Sequence, residues 1–155
     1  MSDGVSGVEQ PGLLEMETQR TPGTHKGHEP LPESTERVGR AIIGAAMAVH
    51  RALGPGLLES VYEICLAHEL ERRGNAVLRQ MALPIVYEAV KLEAGYRIDL
   101  MVDGVVVVEV KSLDAMAPVH EAQLLTYLRL SGRRLGFLIN FNVVLLKQGV
   151  KRMIL

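Results

Sequence analysis

The chain has 155 residues, of which 48% are hydrophobic and 23% are charged, which fits one globular domain rather than two. With 4% aromatic residues and Cys65 as the only cysteine, the composition argues against a base-stacking platform and excludes an internal disulfide or a multi-thiolate zinc site. Since a single cysteine fits a reducing compartment, we expect a cytoplasmic protein. The net charge is −1, and because no apolar run is long enough to cross a bilayer, we expect no membrane association.

The first part of the chain is predicted to be a tail. Residues 1–33 are rich in Gly, Pro, Ser, Thr and Glu and lack apolar periodicity, which predicts disorder. His25 and His28 lie there and are expected to be solvated rather than to bind metal. The tail has two bases against six acids, whereas residues 34–155 have fifteen bases against twelve acids. The predicted domain is therefore mildly basic, which permits contact with a polyanion without requiring it.

Two helices are predicted after the tail. The first runs from a cap at Ser34 or Thr35 to about Arg51, with apolar residues at helical spacing, and the GPG of residues 54–56 ends it. The second covers residues 57–73 and stops at a glycine.

From residue 77 the apolar residues alternate as in strands. The segments MALPIVYEAV, KLEAGYRIDLMV and GVVVVEVK predict three strands, and Pro84 places the first of them at a sheet edge or bulge. A helix over residues 118–130 follows, then a strand in LGFLINF and a further one in VKRMIL. The continuous run Val105–Val108 indicates a strand covered on both faces. The predicted fold class is therefore α/β, a three-layer α/β/α sandwich with a mixed central sheet.

The loop after KLEAGYRIDLMV decides whether Asp99 and Glu109 lie on one face of the sheet. A two-residue Asp-Gly turn would put the two acids on opposite faces. A three-residue loop over residues 102–104 pairs Met101 with Val105 and places Asp99 diagonal to Glu109, and its glycine supplies the left-handed conformation that this loop needs. We predict the three-residue loop.

In that arrangement two bases, Arg97 and Lys111, share the face of the two acids. Carboxylates ~4 Å apart repel by roughly 4 kcal/mol at an effective dielectric near 20, so the cluster needs a compensating charge. Either the bases form an ion-pair network with the acids, or a divalent cation that prefers hard oxygen ligands lies between them. The residues alone leave both interpretations open.

Three segments resemble a known family. The ID of Ile98–Asp99 and the EVK of Glu109–Lys111 resemble the signature of the PD-(D/E)XK nuclease superfamily, with Ile98 at the position of the proline. GLLESVY, residues 56–62, matches the heptapeptide of the GxxExxY proteins, a branch of that superfamily. HEAQLLTYL, residues 120–128, resembles the Gln-x-x-x-Tyr helix motif of RecB-like members. The resemblance covers roughly residues 34–155 and implies a restriction-endonuclease-like core.

The resemblance implies a metal-dependent nuclease that hydrolyses phosphodiester bonds in nucleic acid. The implied ligands of Mg²⁺ or Mn²⁺ are Asp99, Glu109, Glu59 and the carbonyl of Val110. Lys111 is implied as the catalytic residue that orients or activates the attacking water and stabilises the transition state. The implied substrate contacts are Gln123, Tyr127, His120 and Arg97.

Several of these residues also have structural interpretations. Gln123 and Tyr127 fit a hydrogen-bonding pair within the helix, Arg97 a local counter-ion, and Tyr62 a core residue with its hydroxyl satisfied. The alternative function is a catalytically silent module with a nuclease-like fold that binds nucleic acid or a protein partner. The expected partner is nucleic acid, and DNA is expected rather than RNA. A homodimer is compatible with the sequence, because so small a core would often need a second copy to hold a duplex.

Overall fold

The computed structural model of the chain describes residues 29–93 and 95–155. Residues 1–28 of the predicted tail, with His25 and His28, lie outside the described residues. The prediction that Ser34 or Thr35 caps the first helix is wrong, because the helix begins at Glu33 and no side chain caps it. Instead, the carbonyl of Pro32 accepts the first backbone hydrogen bonds, since the restricted φ of proline orders the chain ahead of the two hydroxyl residues.

Ten helices and strands follow one another along the described chain. In chain order they are α1 (Glu33–Leu53), α2 (Glu59–Arg72), β1 (Val77–Ala82), β2 (Ile85–Tyr87), β3 (Val90–Leu92), β4 (Arg97–Val102), β5 (Val106–Lys111), α3 (Pro118–Ser131), β6 (Leu135–Asn140) and β7 (Val150–Ile154). A short 3-10 turn, Leu146–Gln148, precedes the last strand. None of the described helices is both long and apolar enough to cross a membrane.

The central sheet has five strands in the order β1-β4-β5-β6-β7. Its β5–β6 pair is parallel and its other pairs are antiparallel, so the sheet is mixed. The helix α3 connects the two parallel strands, as a parallel pair requires. Val106 and Val108 pack into the core with α1 and α2, whereas Val107 packs with α3. The predicted α/β/α sandwich is confirmed, and the valine run is apolar because helices cover both faces of β5.

The predicted strand MALPIVYEAV, residues 81–90, is divided among three strands: the end of β1, all of β2 and the first residue of β3. β1 ends at Ala82, before Pro84, and β2 and β3 form a small two-stranded sheet of their own. The predicted strand KLEAGYRIDLMV is likewise divided between β3 and β4. Leu83 N–H donates to the Tyr96 carbonyl at 2.9 Å, which is the last contact between this end of β1 and the start of β4. Pro84 has no N–H to donate, so the chain leaves the main sheet there, and β2 and β3 precede its return at β4.

The hairpin between β4 and β5 has a three-residue loop, as predicted, but the loop is residues 103–105 rather than 102–104. The observed pairs include Val102 with Val106 and Leu100 with Val108. Asp103 and Gly104 both have positive φ, 49° and 66°. The Asp103 carboxylate accepts a hydrogen bond from Ala76 N–H at 2.7 Å, a contact with the α2–β1 connection that holds the aspartate in this conformation. The shift keeps the faces and moves Asp99 from diagonal to directly opposite Glu109.

Candidate functional site

Asp99 and Glu109 face each other just beyond the last paired residues of β4 and β5. Asp99 N–H donates to Glu109 Oε1 at 3.1 Å, and Val110 N–H donates to Asp99 Oδ2 at 2.9 Å. Each carboxylate therefore bonds the backbone of the opposite strand, in place of the next backbone pair of the ladder. The two acids lie on one face at the end of the hairpin, as the three-residue loop requires.

The Glu109 carboxyl is the most strongly perturbed acid of this cluster. Its residue is 3% exposed. Burial, together with the nearby Asp99 carboxylate, raises the pKa of Glu109 to about 9. This pKa keeps the Glu109 carboxyl neutral at pH 7. A cation bound between the two acids would favour the ionised form of Glu109 and so lower its pKa. The donor set therefore fits a divalent ion that prefers hard oxygen ligands.

The Val110 backbone supplies a third oxygen on the same side. In an antiparallel pair the N–H and C=O of one residue point to the same neighbouring strand. Because Val110 N–H bonds Asp99, the Val110 carbonyl is also directed toward the β4 side. Asp99, Glu109 and this carbonyl are the residues that could hold the ion.

Glu59, the first residue of α2, lies near this pair without closing around it. Burial raises the pKa of its carboxyl, whereas the Lys111 ammonium and a hydrogen bond from the Ser112 backbone lower it. Ser112 Oγ also donates to the Leu57 carbonyl at 2.6 Å, which ties the start of α2 to the end of β5. Within residues 29–93 and 95–155, no three His, Cys, Asp or Glu side chains form a metal-binding group, so Glu59 does not complete a three-carboxylate site in this arrangement.

The two predicted bases make no ion-pair network with the acids. Neither Arg97 nor Lys111 forms a salt bridge with a residue in the described part of the chain. Arg97 is exposed at the start of β4. Lys111 is half-buried at the end of β5, on the same face as Glu109. The compensating charge that Asp99 and Glu109 need is therefore not supplied by Arg97 or Lys111 at salt-bridge distance.

The predicted substrate contacts on α3 lie beside Lys111. Gln123, Tyr127, His120 and Lys111 line one groove of about 550 Å³. Gln123 Nε2 donates to Tyr127 Oη at 2.8 Å, so these two side chains are a hydrogen-bonded pair. Burial raises the pKa of the Tyr127 phenol, the hydrogen bond from Gln123 lowers it, and the charges of Glu109 and Asp99 raise it further.

Two residues of the cluster were missed in the sequence, Gln80 and Glu63. Gln80 Nε2 donates to Asp99 Oδ1 at 3.2 Å and to both carboxylate oxygens of Glu63 at 2.9 Å. Glu63 is 6% exposed and also pairs with Arg79. Gln80 holds a positive φ of 52°, which is strained for a residue with a side chain. One signal was available: Glu63 follows Glu59 by four residues on α2 and so shares its helix face.

Tyr62, the last residue of GLLESVY, has the structural role expected of it. Its hydroxyl donates to the Gly54 carbonyl at 2.5 Å and accepts from Leu57 N–H at 3.1 Å. Its ring is fully buried and stacks on Phe141 with 4.6 Å between the ring centroids. The tyrosine thus holds the loop that starts α2, and with it Glu59. His50 is likewise structural, because its Nε2 contacts the Val143 carbonyl at 2.7 Å.

The chain matches a known protein family. A family model described as the PD-(D/E)XK nuclease superfamily matches residues 36–153. A search of the curated proteins and a search of the solved structures each found no match. The matched segment runs from the first turn of α1 into β7 and contains every residue of the cluster and of the groove.

Proposed function

Since this chain belongs to the PD-(D/E)XK nuclease superfamily, we propose that it hydrolyses phosphodiester bonds in nucleic acid with the help of a bound divalent ion, Mg²⁺ or Mn²⁺. The observation that carries the proposal is the pair formed by Asp99 and Glu109, two carboxylates on one face with a lysine at the next outward position of the strand. Burying an acid next to a second carboxylate, so that its pKa is raised to about 9, does not help to hold a sheet end together, whereas it suits a metal site.

The metal ligands proposed are Asp99, Glu109 and the Val110 carbonyl. Such an ion, when bound, polarises a phosphate oxygen and lowers the pKa of coordinated water. The chain itself contributes the fixed positions of its ligands, since the two carboxylates are held by backbone N–H groups of neighbouring strands. Glu59 is proposed as an outer acid of this site, acting on Lys111 and the acids through charge.

Lys111 is proposed as the catalytic residue beside the attacking water. Its ammonium would orient the attacking water and stabilise the negative charge that develops on the phosphate. The charge of Lys111 lowers the pKa of the neighbouring Glu59 carboxyl, and this carboxylate would help to position the Lys111 ammonium. Gln123, Tyr127 and His120, in the groove beside Lys111, are proposed to hold the nucleic-acid backbone, and Arg97 to contact it at the exposed rim.

A finer assignment is proposed on the heptapeptide. Gly56 has a positive φ of 96°, Glu59 starts α2 close to Lys111, and Tyr62 holds the loop between them. Because each residue that defines the GxxExxY pattern has a separate task here, we propose that the chain belongs to the GxxExxY branch of the superfamily. The nucleic acid is proposed to be DNA. The chain is also proposed to form a homodimer, which analytical ultracentrifugation of the protein with and without DNA tests.

The test is cleavage of single-stranded, duplex and branched DNA, and of RNA, by the full chain in Mg²⁺ or Mn²⁺. We expect cleavage that EDTA stops. Lys111→Ala is expected to abolish cleavage while Mn²⁺ binding persists, whereas Asp99→Ala is expected to lose both. Binding of nucleic acid without cleavage, unaffected by Lys111→Ala, would instead support the silent binding module. An unchanged Mn²⁺ affinity in Asp99→Ala would contradict the ligand assignment.

A further inference from the structure

The groove beside Lys111 is lined by residues of different chemistry. Its polar residues include Lys111, His120, Gln123 and Tyr127, and its apolar residues include Ile85, Tyr96, Val119 and Leu130. Ile85 lies on β2 and Tyr96 just before β4, whereas Val119 and Leu130 lie on α3 among the polar residues. A volume of about 550 Å³ is that of a small-ligand site rather than of a protein interface.

Tyr96 contributes a partly exposed aromatic side chain to the lining of this groove. The residue is 47% exposed, so part of its ring surface is free. Its backbone carbonyl accepts a hydrogen bond from Leu83 N–H at 2.9 Å, which anchors it at the start of β4. Its ring meets Tyr127 edge-on, with 6.4 Å between the ring centroids and 69° between the ring planes. A ring held in this way loses little freedom when a planar ligand stacks on it.

The polar residues of the groove favour an anion. Among the described residues that line the groove, Lys111 is the charged one, and none is an acid. His120 Nδ1 accepts a hydrogen bond from Ala117 N–H at 3.0 Å. The proton of a neutral His120 therefore lies on Nε2, which makes that nitrogen a hydrogen-bond donor. The groove thus combines an ammonium, an imidazole donor and an amide with a partly exposed aromatic ring.

We propose that this groove binds one unpaired nucleotide of a single-stranded nucleic acid, with the phosphate toward Lys111 and His120 and the base against Tyr96. The assignment rests on the proposed nuclease function and names its substrate class. Base pairs inside a duplex are stacked on both faces and cannot offer a face to Tyr96, whereas an unpaired base can. One ring serves one nucleotide, which agrees with a chain that has too few aromatic residues for a stacking platform.

The test is a binding measurement on the full chain with EDTA present, so that no strand is cut. Fluorescein-labelled single-stranded DNA and single-stranded RNA of one sequence are compared with a blunt hairpin duplex by fluorescence anisotropy. We expect single strands to bind at least about tenfold more tightly than the duplex. Tyr96→Ala should weaken single-strand binding by about 5- to 100-fold, the range of one base–aromatic stack, and Tyr96→Phe should keep it. The tighter of the two polymers identifies the sugar.

Tyr87→Ala is the matched control, because Tyr87 is 71% exposed at the end of β2 and does not line the groove. We expect it to bind like the wild type. Equal affinity for single strands and duplex, or equal effects of Tyr96→Ala and Tyr87→Ala, would overturn the assignment. A 2-aminopurine base in the strand reports stacking directly: its fluorescence should be quenched by the wild type and by Tyr96→Phe, and unchanged quenching by Tyr96→Ala would also overturn it.

The binding result and the nuclease result can fail separately. Tyr96-dependent single-strand binding without cleavage in Mg²⁺ or Mn²⁺ would overturn the proposed nuclease activity and leave the groove assignment intact. Cleavage that is indifferent both to Tyr96→Ala and to base pairing would overturn the groove assignment and leave the nuclease activity intact.

Discussion

The carboxylates of Asp99 and Glu109 take the place of a backbone pair between two strands. The Asp99 N–H donates to Glu109 Oε1, while Asp99 Oδ2 accepts from the residue after Glu109. Side chains thus hold the strands together where the ladder ends, and both acids are fixed by the same contacts. The geometry of the site and the stability of the sheet end are for this reason coupled, and the two can be measured together.

Glu109→Gln is expected to stabilise the metal-free protein above pH 5. The folded-state pKa of Glu109 is about 9 against an ordinary value of 4.5, so the unfolded chain releases this proton at a much lower pH than the folded chain. Stability from this group is therefore lost as the pH rises between these two values. We expect the variant to exceed the wild type by at least about 1 kcal/mol at pH 8, roughly 3 °C in melting temperature, with a smaller gain at pH 5.

Glu69→Gln is the control for this experiment. Hydrogen bonds from Arg72 and Arg73 lower the pKa of Glu69 to about 2, so its contribution is lost only as the pH falls below 4.5. Its effect on the melting temperature should therefore stay constant between pH 5 and pH 8. A Glu109→Gln effect that is just as constant would contradict the raised pKa.

Metal binding is expected to release a proton near neutral pH. The wild type holds Glu109 protonated below about pH 9, and a carboxyl must ionise to coordinate a cation. Isothermal titration calorimetry with Mn²⁺ at pH 7, in buffers of different ionisation enthalpy, should show about one proton released. The apparent affinity should rise with pH up to about 9. Glu109→Gln should release none, and a wild-type enthalpy that is independent of buffer would speak against Glu109 as a ligand.

Gln80 is expected to position Asp99 for metal. Gln80→Ala removes the amide that bonds Asp99 and the buried Glu63, and should weaken Mn²⁺ binding by about 10-fold or more. It should also lower the free energy of unfolding by about 1–3 kcal/mol, because Glu63 loses a donor.

Gln80→Gly separates positioning from strain. The positive φ of Gln80 suits glycine, so this variant should recover part of the stability that Gln80→Ala loses, without recovering the Mn²⁺ affinity. Mn²⁺ binding followed by electron paramagnetic resonance, alongside urea unfolding, measures both. Wild-type affinity in both variants would show that Gln80 has no part in the metal site.

Tyr62→Phe is expected to affect stability and not metal affinity. The change leaves the Gly54 carbonyl and the Leu57 N–H without the hydroxyl that serves both, at a cost of about 1–2 kcal/mol in urea unfolding. The Asp99 and Glu109 contacts do not involve this hydroxyl, so Mn²⁺ should bind as in the wild type. Tyr87→Phe, with an exposed ring, is the control and should unfold like the wild type.

The sequence by itself determined the layers of the fold and the face that Asp99 and Glu109 share, but not the contacts that Gln80 makes with Asp99 and Glu63. Apolar period is a local property, so α1, α2, α3 and the valine strand β5 could be predicted within a few residues of their observed ends. Alternation in a strand is equally local, which is why Asp99 and Glu109 were predicted on one face once a three-residue loop was chosen.

Tertiary structure decided what depended on residues distant in the chain. The loop shifted by one residue because Asp103 bonds Ala76, far from it in sequence, and that contact set the two acids directly opposite each other. The raised pKa of Glu109 comes from burial, and the Gln80–Glu63 contact joins a strand to a helix. Local pattern assigns a residue to a face, whereas distances and electrostatic environment exist only once separate elements have packed against one another.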